Sequence, residues 1–339
     1  MTRRPKRIAA VLEVVAVLVG GSLVARTISD RVGLARSRAL INALPEGASP
    51  DFLAMAWVSA LDLLLKYGIM FGLAFAIGWW HRRRPLRAYG LTLAGRPLAQ
   101  HVGTGWLLFA VAFLPVATLM VLASFVSLGA GPEHWSVFSY EWSLGFWVFM
   151  AVSSFLVVPI LEELFVRGYI QTRLIEDFGA AGGILITAFV FAFSHTQYFR
   201  LSVMSIGTLA GIVFSSILAG YVFYRTRSLL PVVIAHAITN VPLRATAEIA
   251  MLGLMVMTII LFREPILSYG RALWLDFSRI ESVPAALALA LFALFLVALL
   301  LAPPLALALV VAAAVLALVV EYREKAALAG NSAIRDKGD

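Results

Sequence analysis

Apolar stretches of about twenty residues recur along this chain, and in hydrocarbon a stretch of that length satisfies its backbone only as a helix. They lie near 8 to 25, 54 to 80, 102 to 127, 142 to 161, 203 to 224, 246 to 262 and 284 to 302, with shorter ones at 180 to 195, 229 to 241 and 305 to 320. The expected fold is therefore all-α: a polytopic integral membrane helical bundle of about eight to ten transmembrane helices. A mean hydropathy of +0.92, and 61% apolar against 14% charged residues, leave too little polar surface for a soluble domain.

The net charge of +8 would suit nucleic acid or a membrane surface, and the placement of the charge favours the second. Arg82, Arg83, Arg84 and Arg87 follow the run at 54 to 80, Arg225 and Arg227 the run at 203 to 224, and Arg323 and Lys325 the last. Basic residues beside spans mark the cytoplasmic side and attract anionic lipid, so lipid is an expected partner and nucleic acid is not. The loop at 128 to 141 has no Lys or Arg and should face the other way. The first run follows Arg3, Arg4, Lys6 and Arg7 as a secretion signal would, but Glu13 interrupts it and no small-x-small cleavage site precedes Arg26, so it reads as a retained helix. With no cysteine there is neither a thiol nucleophile nor a thiolate metal site.

The chain divides into N-terminal helices and loops (1–141), a segment holding the candidate chemistry (142–262), an amphipathic linker (263–283), a helical hairpin broken at Pro303-Pro304 (284–320) and a polar tail (321–339). No oligomeric state is legible.

Ionisable groups inside spans cost about 2.5–3.5 kcal/mol each on insertion scales, so each asks for a reason. Asp62 and Lys66 are four apart and read as a structural pair. In "PILEELFVRGY", 159 to 169, Glu163 and Arg167 share a helix face and can neutralise each other, while Glu162 points about 100° away with its carboxylate uncommitted. His195 closes "FVFAFSH" with Phe191 one turn before it, and His236 opens "HAITN" with Asn240 one turn after it. A break near Phe178 and Gly179 lies equally far from 162 and 195, so an antiparallel helical hairpin would bring Glu162 level with His195. Such a site would lie below the membrane surface, with water reaching it through a cavity.

A carboxylate beside an imidazole can take a proton from water, while a second imidazole and a carboxamide donate to a developing oxyanion. That equipment hydrolyses an amide without a serine or cysteine. Glu162-Glu163-x-x-x-Arg167, Phe191-x-x-x-His195 and His236-x-x-x-Asn240, in this order over about 142 to 262, resemble the three motifs of the type II CAAX prenyl endopeptidase family. This CPBP, or abortive-infection, family includes the Ras-converting enzyme and lysostaphin-resistance-like proteins.

The resemblance implies a CPBP-type catalytic core and an endopeptidase acting on membrane-associated proteins or peptides. It makes Glu162 the base acting with His195, gives His236 and Asn240 the oxyanion, and has Glu163, held by Arg167, order the site. It implies no obligatory cofactor. Glu162, His195 and His236 would also suffice to bind zinc with a water in the fourth position, so metal-free and zinc-assisted hydrolysis both stay open. A proton- or ion-coupled transporter using Asp62, Lys66, Glu162 and His195 is one competing expectation, and a non-catalytic membrane scaffold or immunity protein is another. The expected location is a multi-pass position in a bacterial cytoplasmic membrane.

Overall fold

The computed structural model describes residues 7–34, 51–80, 89–91, 95–126, 142–195, 198, 203–243 and 245–278. The basic segment at 81–88, the loop at 128–141, the expected hairpin at 284–320 and the tail at 321–339 lie outside the described residues.

Every regular element among the described residues is a helix. In chain order they are α1 (Arg7–Arg31), α2 (Phe52–Trp80), α3 (Leu98–Val126), α4 (Leu144–Met150), α5 (Val157–Glu163), α6 (Thr172–Ser194), α7 (Val203–Thr226), α8 (Leu230–Thr239), α9 (Ala245–Leu261) and α10 (Arg263–Phe277). Among the described residues, five helical stretches are long and apolar enough to cross a membrane, or six if the pair α9 and α10, bent by 78°, makes one span. The chain is a multi-pass integral membrane protein, and its helical architecture is the one the apolar runs predict.

The polypeptide from 144 to 194 is a single apolar succession that changes its winding repeatedly. α4 passes into a π-helical turn at Ala151–Phe155, and α5 passes into a longer one at Leu164–Gln171. Wide turns of this kind strand backbone groups that side chains must satisfy, and they cluster at functional sites. Thr172 shows the effect locally, because its hydroxyl donates to the Arg167 carbonyl five residues back (3.2 Å).

α6 is two helices joined at Gly179, whose φ of 73° and ψ of 173° are open to glycine and strained for other residues. The chain reverses there. A Cβ on Gly183 would sit 2.6 Å from the Ile175 backbone nitrogen, so only a glycine lets the two arms close. The register follows from the turn: Arg167 and Phe191, equidistant from Gly179, meet with the guanidinium 4.8 Å from the ring centroid.

Two apolar cores hold the bundle. One gathers Val14, Met70, Phe165, Leu174 and Ile186 from α1, α2, the wide turn after α5, and α6. The other gathers Phe109, Phe223, Val232 and Met255 from α3, α7, α8 and α9. Leu164, directly after Glu162 and Glu163, packs against both, which puts those acids at the seam.

Two charged residues that look anomalous in the sequence find their reason here. Glu13 in α1 meets Arg173 in α6, Oε2 to Nε 2.6 Å, and accepts from the Tyr169 hydroxyl at 3.3 Å. Arg173 also pairs with Asp177. The first helix is thus tied to the 172–178 arm by an ion pair across 160 residues. The expected Asp62–Lys66 pair gives way to a different arrangement. Asp62 accepts from Ser29 of α1 (3.1 Å), and the Lys66 ammonium lies 5.2 Å from the Tyr67 ring centroid. A partner on a packed neighbouring helix displaces an i,i+4 pair worth only about 0.2–0.5 kcal/mol. α10 has no buried residue and is held to α7 where the Tyr221 hydroxyl donates to Asp276 (3.0 Å).

Candidate active site

The site forms where α5, α6 and α8 converge on the seam between the cores. Glu163 and Arg167 are each only 2% exposed, with Oε2 and Nε 3.2 Å apart. Arg167 continues to α7, donating from Nη2 to the Ser216 hydroxyl (3.1 Å), and one turn on Gln171 donates to the Gly220 carbonyl (2.8 Å). These two bonds fix the rotation of the wide turn against α7. The Glu163–Arg167 contact is an ion pair without hydrogen-bond alignment, which leaves Glu163 Oε2 and Arg167 Nε and Nη1 without hydrogen-bond partners among the described residues.

His236 reaches this pair from α8. Its Nδ1 lies 2.9 Å from Glu163 Oε1, and its Nε2 lies 3.9 Å from Glu162 Oε2. Two adjacent glutamates therefore face opposite nitrogens of one imidazole, Glu163 in hydrogen-bond contact and Glu162 at a longer distance. Glu163 is buried and Glu162 partly exposed, with a side chain 21% accessible. The two acids sit on different faces of the helix, and only Glu162 opens toward solvent.

His195 stands at the end of α6. Its Nδ1 faces the Phe191 carbonyl at 2.8 Å, which fixes Nδ1 as the protonated nitrogen and leaves Nε2 as an acceptor. Phe191 is the shared wall: His195 meets it edge-on at 4.7 Å between centroids, His236 at 6.2 Å, and Arg167 stacks on it. Among the described residues no hydrogen bond or ion pair joins His195 to Glu162. The imidazole nearest Glu162 is His236, where the sequence alone suggests His195. The hairpin sets the level along the helix axes, but side-chain direction turns His195 back onto its own helix.

Asn240 ends α8 and faces the break between α4 and α5. Its Nδ2 donates to the Ser154 carbonyl (3.1 Å) while the Ser154 hydroxyl donates to the Asn240 carbonyl (3.1 Å). The reciprocal pair satisfies groups freed by the wide turn at Ala151–Phe155, and the second amide N–H of Asn240 is not used by Ser154.

The sequence gives no prominence to Tyr67, one residue beyond Lys66. Its hydroxyl donates to Glu162 Oε1 at 3.5 Å. The only signal was a phenol in an apolar span, since buried tyrosine hydroxyls usually find a partner.

Among the described residues no three His, Asp or Glu side chains are grouped to hold an ion. Glu162 and His236 approach each other, and with His236 Nδ1 engaged by Glu163 and His195 Nδ1 by a backbone carbonyl, the Nε2 atom of each ring stays available as a ligand. Glu162, His195 and His236 are nevertheless not gathered around one point among the described residues.

A buried ion pair, two imidazoles and an accessible glutamate in a helical membrane bundle define a membrane protein with hydrolase-like equipment. Residues 144–242 match the family model described as type II CAAX prenyl endopeptidase Rce1-like. The match opens on the first residue of α4 and closes just past Asn240, taking in all three motifs and less than a third of the chain. No curated protein and no solved structure matches the chain.

Proposed function

We propose that this chain is an intramembrane endopeptidase that hydrolyses peptide bonds of membrane-associated proteins or peptides with a water activated by Glu162. The observation that carries the reading is the 3.9 Å separation of Glu162 Oε2 and His236 Nε2, short enough for one water to touch both, above the buried Glu163–Arg167 pair.

Glu162 takes a proton from that water, and His195, which shares the Phe191 wall with His236, orients it in the role the family resemblance implies. The water oxygen bonds to the carbonyl carbon. His236, anchored through Nδ1 by Glu163, donates from Nε2 to the developing oxyanion, joined by the free N–H of Asn240. The C–N bond then breaks and Glu162 returns its proton to the leaving amine. With His236 protonated, the charges of Glu162, Glu163, Arg167 and His236 sum to zero, which a low-dielectric setting favours. No step is routed through a metal. The enzyme would work in a bacterial cytoplasmic membrane, its basic segments against anionic lipid.

The test uses the full chain in proteoliposomes and internally quenched peptides bearing a farnesylated cysteine three residues from the C-terminus, alongside unprenylated counterparts. Termini in cell membranes with wild type or Glu162→Gln are compared in parallel. Glu162→Gln should slow cleavage by about 10²–10⁴. Cleavage that persists in Glu162→Gln or His195→Ala refutes the mechanism, and loss on 1,10-phenanthroline treatment that zinc restores would assign a metal.

A further inference from the structure

Glu162 has two carboxylate oxygens with different neighbours. Oε2 faces His236, and Oε1 faces the hydroxyl of Tyr67, a residue of α2 that lies outside the 144–242 domain. Tyr67 is only 5% exposed. Its ring is packed edge-on against Phe165 (6.2 Å, 75°) and tilted against Phe71 (6.1 Å), while Phe165 itself lies in the wide turn after Glu163. The Lys66 ammonium lies over its ring. The phenol therefore has little freedom, and its hydroxyl points at the one site acid that is open to solvent.

We propose that Tyr67 is a positioning residue for Glu162, contributed by an N-terminal helix, so that the working site is a composite of the Rce1-like domain and α2. The inference rests on the reading of Glu162 as the base. A carboxylate on a flexible glutamate stem samples several rotations, and only those that turn Oε2 toward His236 place a water between them. A donor on Oε1 selects those rotations. At 3.5 Å the contact is long, as catalytic hydrogen bonds often are without substrate. Tyr67 touches no substrate in this scheme, so its removal should act on turnover and not on binding.

The experiment compares wild type, Tyr67→Phe and Glu162→Gln as full chains in proteoliposomes. The isosteric Tyr67→Phe should keep the melting temperature and KM, and lower kcat about tenfold, the rate equivalent of one modest hydrogen bond. Its pH–rate profile should move, which a merely structural role would not cause. Infrared difference spectra supply a readout independent of turnover: the carboxylate band that disappears in Glu162→Gln should shift in Tyr67→Phe. An unmoved band, or an unchanged kcat alongside an inactive Glu162→Gln, overturns the inference. If wild type and Glu162→Gln cleave alike, the base assignment fails instead, and the band shift still decides whether Tyr67 holds the carboxylate.

Discussion

Arg167→Met isolates the cost of the buried charge beneath the site. Arg167 and Glu163 are 2% exposed and 3.2 Å apart, and the guanidinium also bonds Ser216 and stacks on Phe191. Methionine keeps most of the volume and removes the charge, leaving the Glu163 carboxylate with His236 as its remaining partner. Removing one member of a buried pair costs about 3–5 kcal/mol, mostly because the survivor is uncompensated. At about 2 °C per kcal/mol for a chain of this size, the melting temperature in detergent should fall by roughly 6–10 °C. The double variant Glu163→Gln/Arg167→Met removes both charges and should recover at least half of that loss. It should remain at least tenfold slower in peptide cleavage, because an amide anchors His236 less firmly than a carboxylate, and such orienting partners are typically worth 10–100-fold. Melting curves and cleavage rates of wild type and the two variants measure this. If Arg167→Met melts within about 2 °C of wild type, or the double variant melts below it, the buried pair does not bear the charge balance argued here.

Two further outcomes follow from the helical frame. Gly183→Val drives a side chain into the Ile175 backbone and should open the α6 hairpin, costing about 1–3 kcal/mol or more and lowering cleavage through the displaced Phe191 wall; unchanged melting and activity would show that the arms are not in close contact. Glu13→Gln and Arg173→Met, each measured alone and together, should couple by about 1–3 kcal/mol in a thermal double-mutant cycle, and strictly additive effects would remove the tie between α1 and the 172–178 arm.

The sequence by itself determined the helical class, through apolar runs whose backbone has no other solution in hydrocarbon. It also determined what lies within one helix or one tight turn. Glu163 and Arg167 face each other because they are four apart, Glu162 diverges because it is one residue away, and the reversal falls at Gly179 because glycine alone adopts that backbone readily. Choices between helices were decided only by the tertiary structure. That His236 approaches Glu162, that Asn240 clasps Ser154, that Asp62 turns to Ser29, that Glu13 reaches Arg173 and that Tyr67 points at the acid all depend on how each helix is rotated against its neighbours. Periodicity marks a helix's faces but carries no information on which distant face will meet them. In a chain this apolar, where lipid solvates most faces equally well, that rotation is set by small residues, wide π-turns and a few buried polar pairs acting together across the fold.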